Sequence, residues 1–128
     1  MDNGDLLYVD DDRTVLMLAT IFFAHEGMTV HCAANGEEAL EKLRERTFPL
    51  MLTDFNMPGM DGLELAGRAR EMAPHMPIFM ITGDISPEIV RLAGEAGIAR
   101  VFAKPFDLEE MVAMVEKIVK AADAEPAC

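Results

Sequence analysis

Tryptophan is absent from this chain of 128 residues, tyrosine occurs once and cysteine twice. Cys32 lies in a strand-like run and Cys128 at the end of the sequence, without metal-ligand or redox spacing, which excludes a disulfide framework and a thiolate zinc site. Basic residues are also sparse. Eleven Lys and Arg stand against 23 Asp and Glu, for a formal charge of -12, and no basic cluster occurs anywhere. Such a surface repels nucleic acid and anionic lipid, so direct nucleic acid binding is not expected. Long apolar runs are missing as well: the longest, Val15 to Ala24, is interrupted by Thr20 and is about half the length a membrane-spanning helix needs. No signal peptide is expected before it. The expectation is a cytoplasmic protein that does not enter a membrane. His25, His31 and His75 are scattered over a helix end, a strand and a loop, which argues against a histidine metal site.

What the chain does have is an apolar content of 51%, enough at this length for one core that buries roughly two-thirds of the unfolded surface. Short β-type runs alternate five times with helix-type segments, the pattern of a parallel sheet wrapped by helices on both faces. Strands are expected at Leu6–Asp10, Thr29–Ala33, Leu50–Asp54, Ile78–Thr82 and Arg100–Ala103. Helices are expected at Arg13–His25, Gly36–Arg46, Leu63–Met72, Pro87–Ala96 and Asp107–Ala122. The last is the clearest, because Leu108, Met111, Val112, Val115 and Val119 form one stripe with charged residues off it. One domain, residues 1–122, is expected, followed by a flexible tail over 123–128, where periodicity stops and Pro126 intervenes. No internal repeat or low-complexity segment is present.

In such a sheet, ligands bind beyond the carboxyl ends of the strands. Strand one ends in Asp10, Asp11 and Asp12, strand three in Asp54, strand four in Thr82 with Asp84 two residues on, and strand five in Lys104 before Pro105. Carboxylates gathered within a few ångströms repel and raise one another's pKa unless a cation joins them. Magnesium suits the task, since it takes oxygen ligands, keeps waters and is held by one or two carboxylates plus a phosphate. A carboxylate can also attack phosphorus to give an acyl phosphate, with a metal and a positive group neutralising the phosphoryl oxygens. Lys104 can supply that charge, and the Thr82 hydroxyl and the amides after Asp54 can donate hydrogen bonds.

Two classes would use these parts differently. In a haloacid-dehalogenase-type phosphohydrolase, "DDDRT" is the D-x-D-x-T signature, with Asp10 as nucleophile and Asp12 as acid and base. Alternatively, the first-strand acids only bind metal and the nucleophile is Asp54. The stretch "LMLTDFNMPGMDGLEL", Leu50 to Leu65, resembles the central motif of response regulator receiver domains, an aspartate on strand three followed by x-x-M-P-x-M-D-G. The resemblance continues through "ANGEEAL", "PIFMITGD" and "FAKPF" in the correct order and covers nearly the whole chain. It implies a flavodoxin-like α/β fold, a doubly wound five-stranded parallel sheet of order 2-1-3-4-5 flanked by five helices. It further implies that Asp54 is the phosphoacceptor. Asp10 and Asp11 match the acid pair holding Mg2+, with Asp54 and the Asn56 backbone carbonyl completing the set. Thr82 and Lys104 match the phosphate-contacting switch residues, and the Lys104–Pro105 bond is expected to be cis. Asn56 and Asp84 occupy positions that tune phosphate lifetime. The implied partner is a sensor histidine kinase or a histidine phosphotransfer protein. Asp12 is left as a helix cap. A third possibility is a receiver-shaped binding module that never takes up phosphate. The hydrolase reading lacks the further acidic pair and the cap region that its class needs.

Two departures stand out. Where many receivers carry an aromatic switch residue, this chain has Val101, which points to phosphate transfer rather than a large surface change. The first helix, "VLMLATIFFA", is apolar nearly all round, whereas a helix on one face of a sheet needs a single stripe. With Val15, Leu18, Phe22 and Phe23 inward, Leu16, Met17 and Ile21 would be left near solvent as a docking patch for a partner helix.

Overall fold

The computed structural model describes residues 5–105 and 107–124, with side chains as far as 119. Strands and helices alternate throughout as β1 (Asp5–Val9), α1 (Arg13–His25), β2 (Thr29–Ala33), α2 (Gly36–Glu45), β3 (Met51–Asp54), α3 (Gly62–Met72), β4 (Ile78–Thr82), α4 (Pro87–Glu95), β5 (Arg100–Ala103) and α5 (Leu108–Ala124). The strands form one sheet in the order β2-β1-β3-β4-β5, every neighbouring pair parallel. This is the doubly wound, flavodoxin-like order expected from the sequence. The largest shift in boundary is at the C-terminal end, where α5 runs to Ala124. The expected tail from 123 therefore starts as helix, and residues 125–128 lie outside the described residues, as does Phe106 of the "FAKPF" motif.

Alternation along the central strands builds two cores. Leu6 and Tyr8 of β1 join Leu50, Leu52, Phe79 and Ile81 beneath α1 and α5, while Leu7, Val9, Met51, Ile78 and Met80 lie beneath α2, α3 and α4. Because both faces are covered, these strands read as continuous apolar runs instead of alternating ones. The two edge strands, β2 and β5, are only partly buried.

All five helices start at the carboxyl rim of the sheet with a polar side chain closing the first turn. Asp12 accepts from the amides of Thr14 and Val15, Asn35 from Glu38, Asp61 from Glu64, Ser86 from Ile89, and Asp107 from Glu109 and Glu110. Each cap satisfies amides that the helix cannot, and is worth about 1 kcal/mol. The caps also bring the positive ends of five helix dipoles to the edge where the acids collect.

The orientation of α1 differs from the expectation. Leu16, Ala19 and Phe23 are the buried residues, Val15 and Phe22 are half-buried, and Leu18 is exposed. The inward stripe is thus rotated by one residue, with small Ala19 at its centre against the sheet. A helix apolar on nearly every side carries too weak a periodicity to fix its own rotation. Leu16 therefore drops out of the candidate docking patch, which instead consists of Met17, Leu18 and Ile21, exposed to 57%, 43% and 49%.

At the opposite end of the sheet, His31 Nε2 and Arg46 Nη2 both reach Asp5 Oδ2, at 3.1 and 2.7 Å. Phe48 packs edge-on against the imidazole with ring centroids 5.3 Å apart. This polar cluster ties edge strand β2 to β1 and to the end of α2, and it gives His31 a structural place far from the acidic rim.

Candidate functional site

β1 and β3 are neighbours in the sheet, and both deliver a carboxylate at the carboxyl rim. Asp10 follows the last residue of β1, and Asp54 closes β3. Asp10 and Asp54 are buried whereas Asp11 is exposed, and the three offer carboxylate oxygens that all lie within 4.8 Å of one another. Among the described residues, no other group of three acidic, histidine or cysteine side chains converges in this way. Three oxygens so close, two of them taken out of water, are a donor set that could hold a hard divalent cation.

The cost of gathering these charges appears on Asp10. Burial, reinforced by the nearby Asp54 and Asp11 carboxylates, pushes its pKa up to about 6, against the pull of the Asp12 amide and of Lys104. The Asp12 amide donates to Asp10 Oδ1 at 2.9 Å. Lys104 answers the negative charge from β5: its Nζ lies 2.6 Å from Asp54 Oδ1. Burial alone would lower the lysine pKa, but the Asp54, Asp10 and Asp11 carboxylates outweigh it and raise the value. The ammonium therefore stays charged. The Lys104–Pro105 peptide is cis, as expected.

Thr82 is buried at the end of β4. Its Oγ1 accepts from the Asp84 amide at 3.0 Å, Asp84 Oδ1 accepts from the Ser86 amide at 3.1 Å, and Ser86 caps α4. The hydroxyl is thus held in a turn that leads directly into α4. Asn56 and Asp84 are both exposed on the loops flanking the rim. The loop after Asp54 is held tightly to the sheet. The Gly62 amide donates to the Phe55 carbonyl at 2.9 Å, and a Cβ on Gly62 would fall 2.6 Å from the Asp54 carbonyl oxygen. The Asp61-Gly62 pair therefore ends the loop with a cap and a close backbone approach that a larger residue would disturb.

Asp12 is not among the converging acids. Its carboxylate is occupied by the first turn of α1, so the nucleophile and acid-base pair that the hydrolase reading requires does not assemble. Val101 is half-buried and lines a groove of about 310 Å³ with Ile85, Val90 and Ala93 of the α4 side. Tyr8, immediately below the acids on β1, was not singled out in the sequence, although strand alternation alone places it on the face of Asp10.

The family model described as "Response regulator receiver domain" matches residues 6–116. The chain belongs to the response regulator receiver family. Among curated relatives, this receiver domain is 37% identical over 117 residues to the response regulator receiver protein CpdR of Brucella abortus, covering 91% of this chain and 98% of that protein. It is 34% identical over 119 residues to the DNA-binding transcriptional regulator NtrC of Escherichia coli, covering 93% of this chain but only 25% of that protein. The receiver domain thus spans about a quarter of the length of its NtrC relatives. Among solved structures, a CheY-like receiver domain protein from Methanospirillum hungatei superposes with a TM-score of 0.88 at 29% identity, covering 96% of this chain and 98% of the other. The chemotaxis protein CheY4 of Vibrio cholerae superposes with a TM-score of 0.84 at 29% identity, covering 90% and 98%. Among the described residues, no helix is long and apolar enough to cross a membrane.

Proposed function

We propose that this receiver domain accepts a phosphoryl group on Asp54 from a phosphohistidine of a sensor histidine kinase or histidine phosphotransfer protein, in a Mg2+-dependent reaction. The observation that carries the reading is the juxtaposition of a buried Asp54 with Lys104 at 2.6 Å and with the carboxylates of Asp10 and Asp11. The carboxylates of Asp10, Asp11 and Asp54 and the backbone carbonyl of Asn56 would hold the cation. Bound there, magnesium supplies positive charge to the phosphoryl oxygens during in-line transfer.

The protein's own groups do the rest. An Asp54 carboxylate oxygen attacks phosphorus; a P–O bond forms as the P–N bond to the donor imidazole breaks, and the bonding pair stays on that nitrogen. Lys104 exchanges its partner from Asp54 Oδ1 to a phosphoryl oxygen, so the charge needed by the product is present before transfer. Thr82 can rotate its hydroxyl from the Asp84 turn toward the phosphoryl group, which loosens the connection to α4. Asn56 and Asp84, polar and exposed at the loop tips, leave room for the water that later hydrolyses the acyl phosphate. Docking of the donor helix on Met17, Leu18 and Ile21 beside the rim would deliver the phosphohistidine. Val101 favours onward transfer as the output, because valine has no large rotamer change to transmit.

The test is transfer of label from a phosphorylated histidine phosphotransfer protein to the domain and back. Both directions are expected with Mg2+, and both should vanish with chelator or with Asp54→Asn. Transfer that persists in Asp54→Asn overturns the assignment.

A further inference from the structure

Tyr8 is the only tyrosine in the chain. It is wholly buried, and its hydroxyl finds no hydrogen-bond partner among the described residues. A buried hydroxyl without a partner is costly and calls for an explanation. Phenylalanine would fill the same apolar site without that cost.

The position of the ring supplies one. Successive residues of a strand alternate in direction, so Tyr8 shares its face with Asp10. Tyr8 pairs in register with Leu52 on β3, which puts Asp54 at the same height above it as Asp10. The phenol therefore stands in the row directly beneath both buried carboxylates, on the side of the sheet covered by α1 and α5. A phenol hydroxyl keeps its proton at neutral pH and is a hydrogen-bond donor. Asp10 uses Oδ1 to accept the Asp12 amide, and a carboxylate oxygen that holds a cation can still accept a hydrogen bond.

We propose that Tyr8 is a positioning residue of the phosphoacceptor site, whose hydroxyl donates to the Asp10 carboxylate, directly or through one trapped water, when that carboxylate turns to hold a divalent cation. The inference rests on the Mg2+ reading of the acidic trio. Ligating carboxylates are held in place by hydrogen bonds of their own, and loss of such a partner weakens metal binding roughly 10–100-fold. With the cation bound, the hydroxyl fixes one ligand from below.

Tyr8→Phe deletes only the hydroxyl. The metal-free variant should unfold at the same or a higher denaturant concentration than the wild type, yet its Mg2+ affinity, measured by calorimetry, should fall about tenfold or more. A purely packing role would leave the Mg2+ affinity unchanged, and that result overturns the proposal. The wild type provides an independent readout that requires no variant. With no tryptophan and a single tyrosine, its near-ultraviolet absorbance above the phenylalanine bands reports Tyr8 alone, and Mg2+ should shift that band to longer wavelength as the hydroxyl gains an acceptor. A wild type that binds Mg2+ without moving the band overturns the role of Tyr8 but leaves the site reading intact. A wild type that neither binds Mg2+ nor takes up a phosphoryl group from acetyl phosphate removes both.

Discussion

Asp10 carries a charge that the fold does not welcome, and the direction of its pKa decides how stability without bound metal responds to pH. The folded value is about 6 against an ordinary 3.8, so folding favours the protonated acid. Its stabilising contribution is fully present below the ordinary value and is lost as pH rises through about 6. The difference is worth at most about 3 kcal/mol. In metal-free protein, therefore, the denaturation midpoint of Asp10→Asn should gain on that of the wild type between pH 4 and 7, and saturating Mg2+ should reverse the order at pH 7. Equal pH profiles for the two proteins would show that Asp10 is not held at a cost. The same residue explains why the opening triplet is ambiguous in sequence. Asp10, Asp11 and Asp12 are chemically identical, and only their directions from the end of β1 and the start of α1 separate a buried acid, an exposed acid and a helix cap.

Elements show where a linear reading succeeds and where it stops. Strands β2, β4 and β5 fall at their expected bounds: β4 is a compact apolar run buried throughout, and the partly buried edge strands β2 and β5 are short β-type runs bounded by turn signals. The rim was legible because strand ends are marked by a change from apolar to polar residues, which put Asp54, Thr82 and Lys104 on one edge before any coordinates. The rotation of α1 was not legible, since Leu16 and Leu18 are equivalent in a helix apolar on most sides, and only packing of Ala19 against the sheet selects Leu16. Tyr8 carries no signal in the sequence, because an aromatic in a strand reads as core and only the fold leaves its hydroxyl without a partner among the described residues. The Asp5–His31–Arg46 cluster joins residues up to 41 positions apart, and no local pattern predicts such a meeting. The corrected α1 patch leads to a specific expectation. Ile21→Glu should slow phosphoryl transfer from the cognate kinase about tenfold, equivalent to ~1.4 kcal/mol of lost docking energy. Phosphorylation by acetyl phosphate, which needs no docking, should be unaffected. Equal loss with both donors would place the defect in the active site rather than in recognition.

On the scale of the molecule, the sheet, its caps and its two cores converge on one edge. The strands supply acids and a lysine, and the helix N-termini supply partial positive charge around them. The chain matches nearly the full length of CpdR and only a quarter of NtrC, so the same receiver architecture occurs both on its own and joined to further domains. A site of this kind also couples ligand to fold: a cation that binds only the folded state stabilises it by about 2.7 kcal/mol at a hundred times its dissociation constant. Asp54, and not Asp10, is expected to make the bond to phosphorus. Intact-mass spectrometry after incubation with acetyl phosphate and Mg2+ tests it most directly. The wild type should gain the mass of one phosphoryl group, Asp54→Asn should gain none, and Asp10→Asn should gain it more slowly because a metal ligand is impaired. An adduct that survives in Asp54→Asn and disappears only in Asp10→Asn would contradict the account and make the first-strand aspartate the nucleophile.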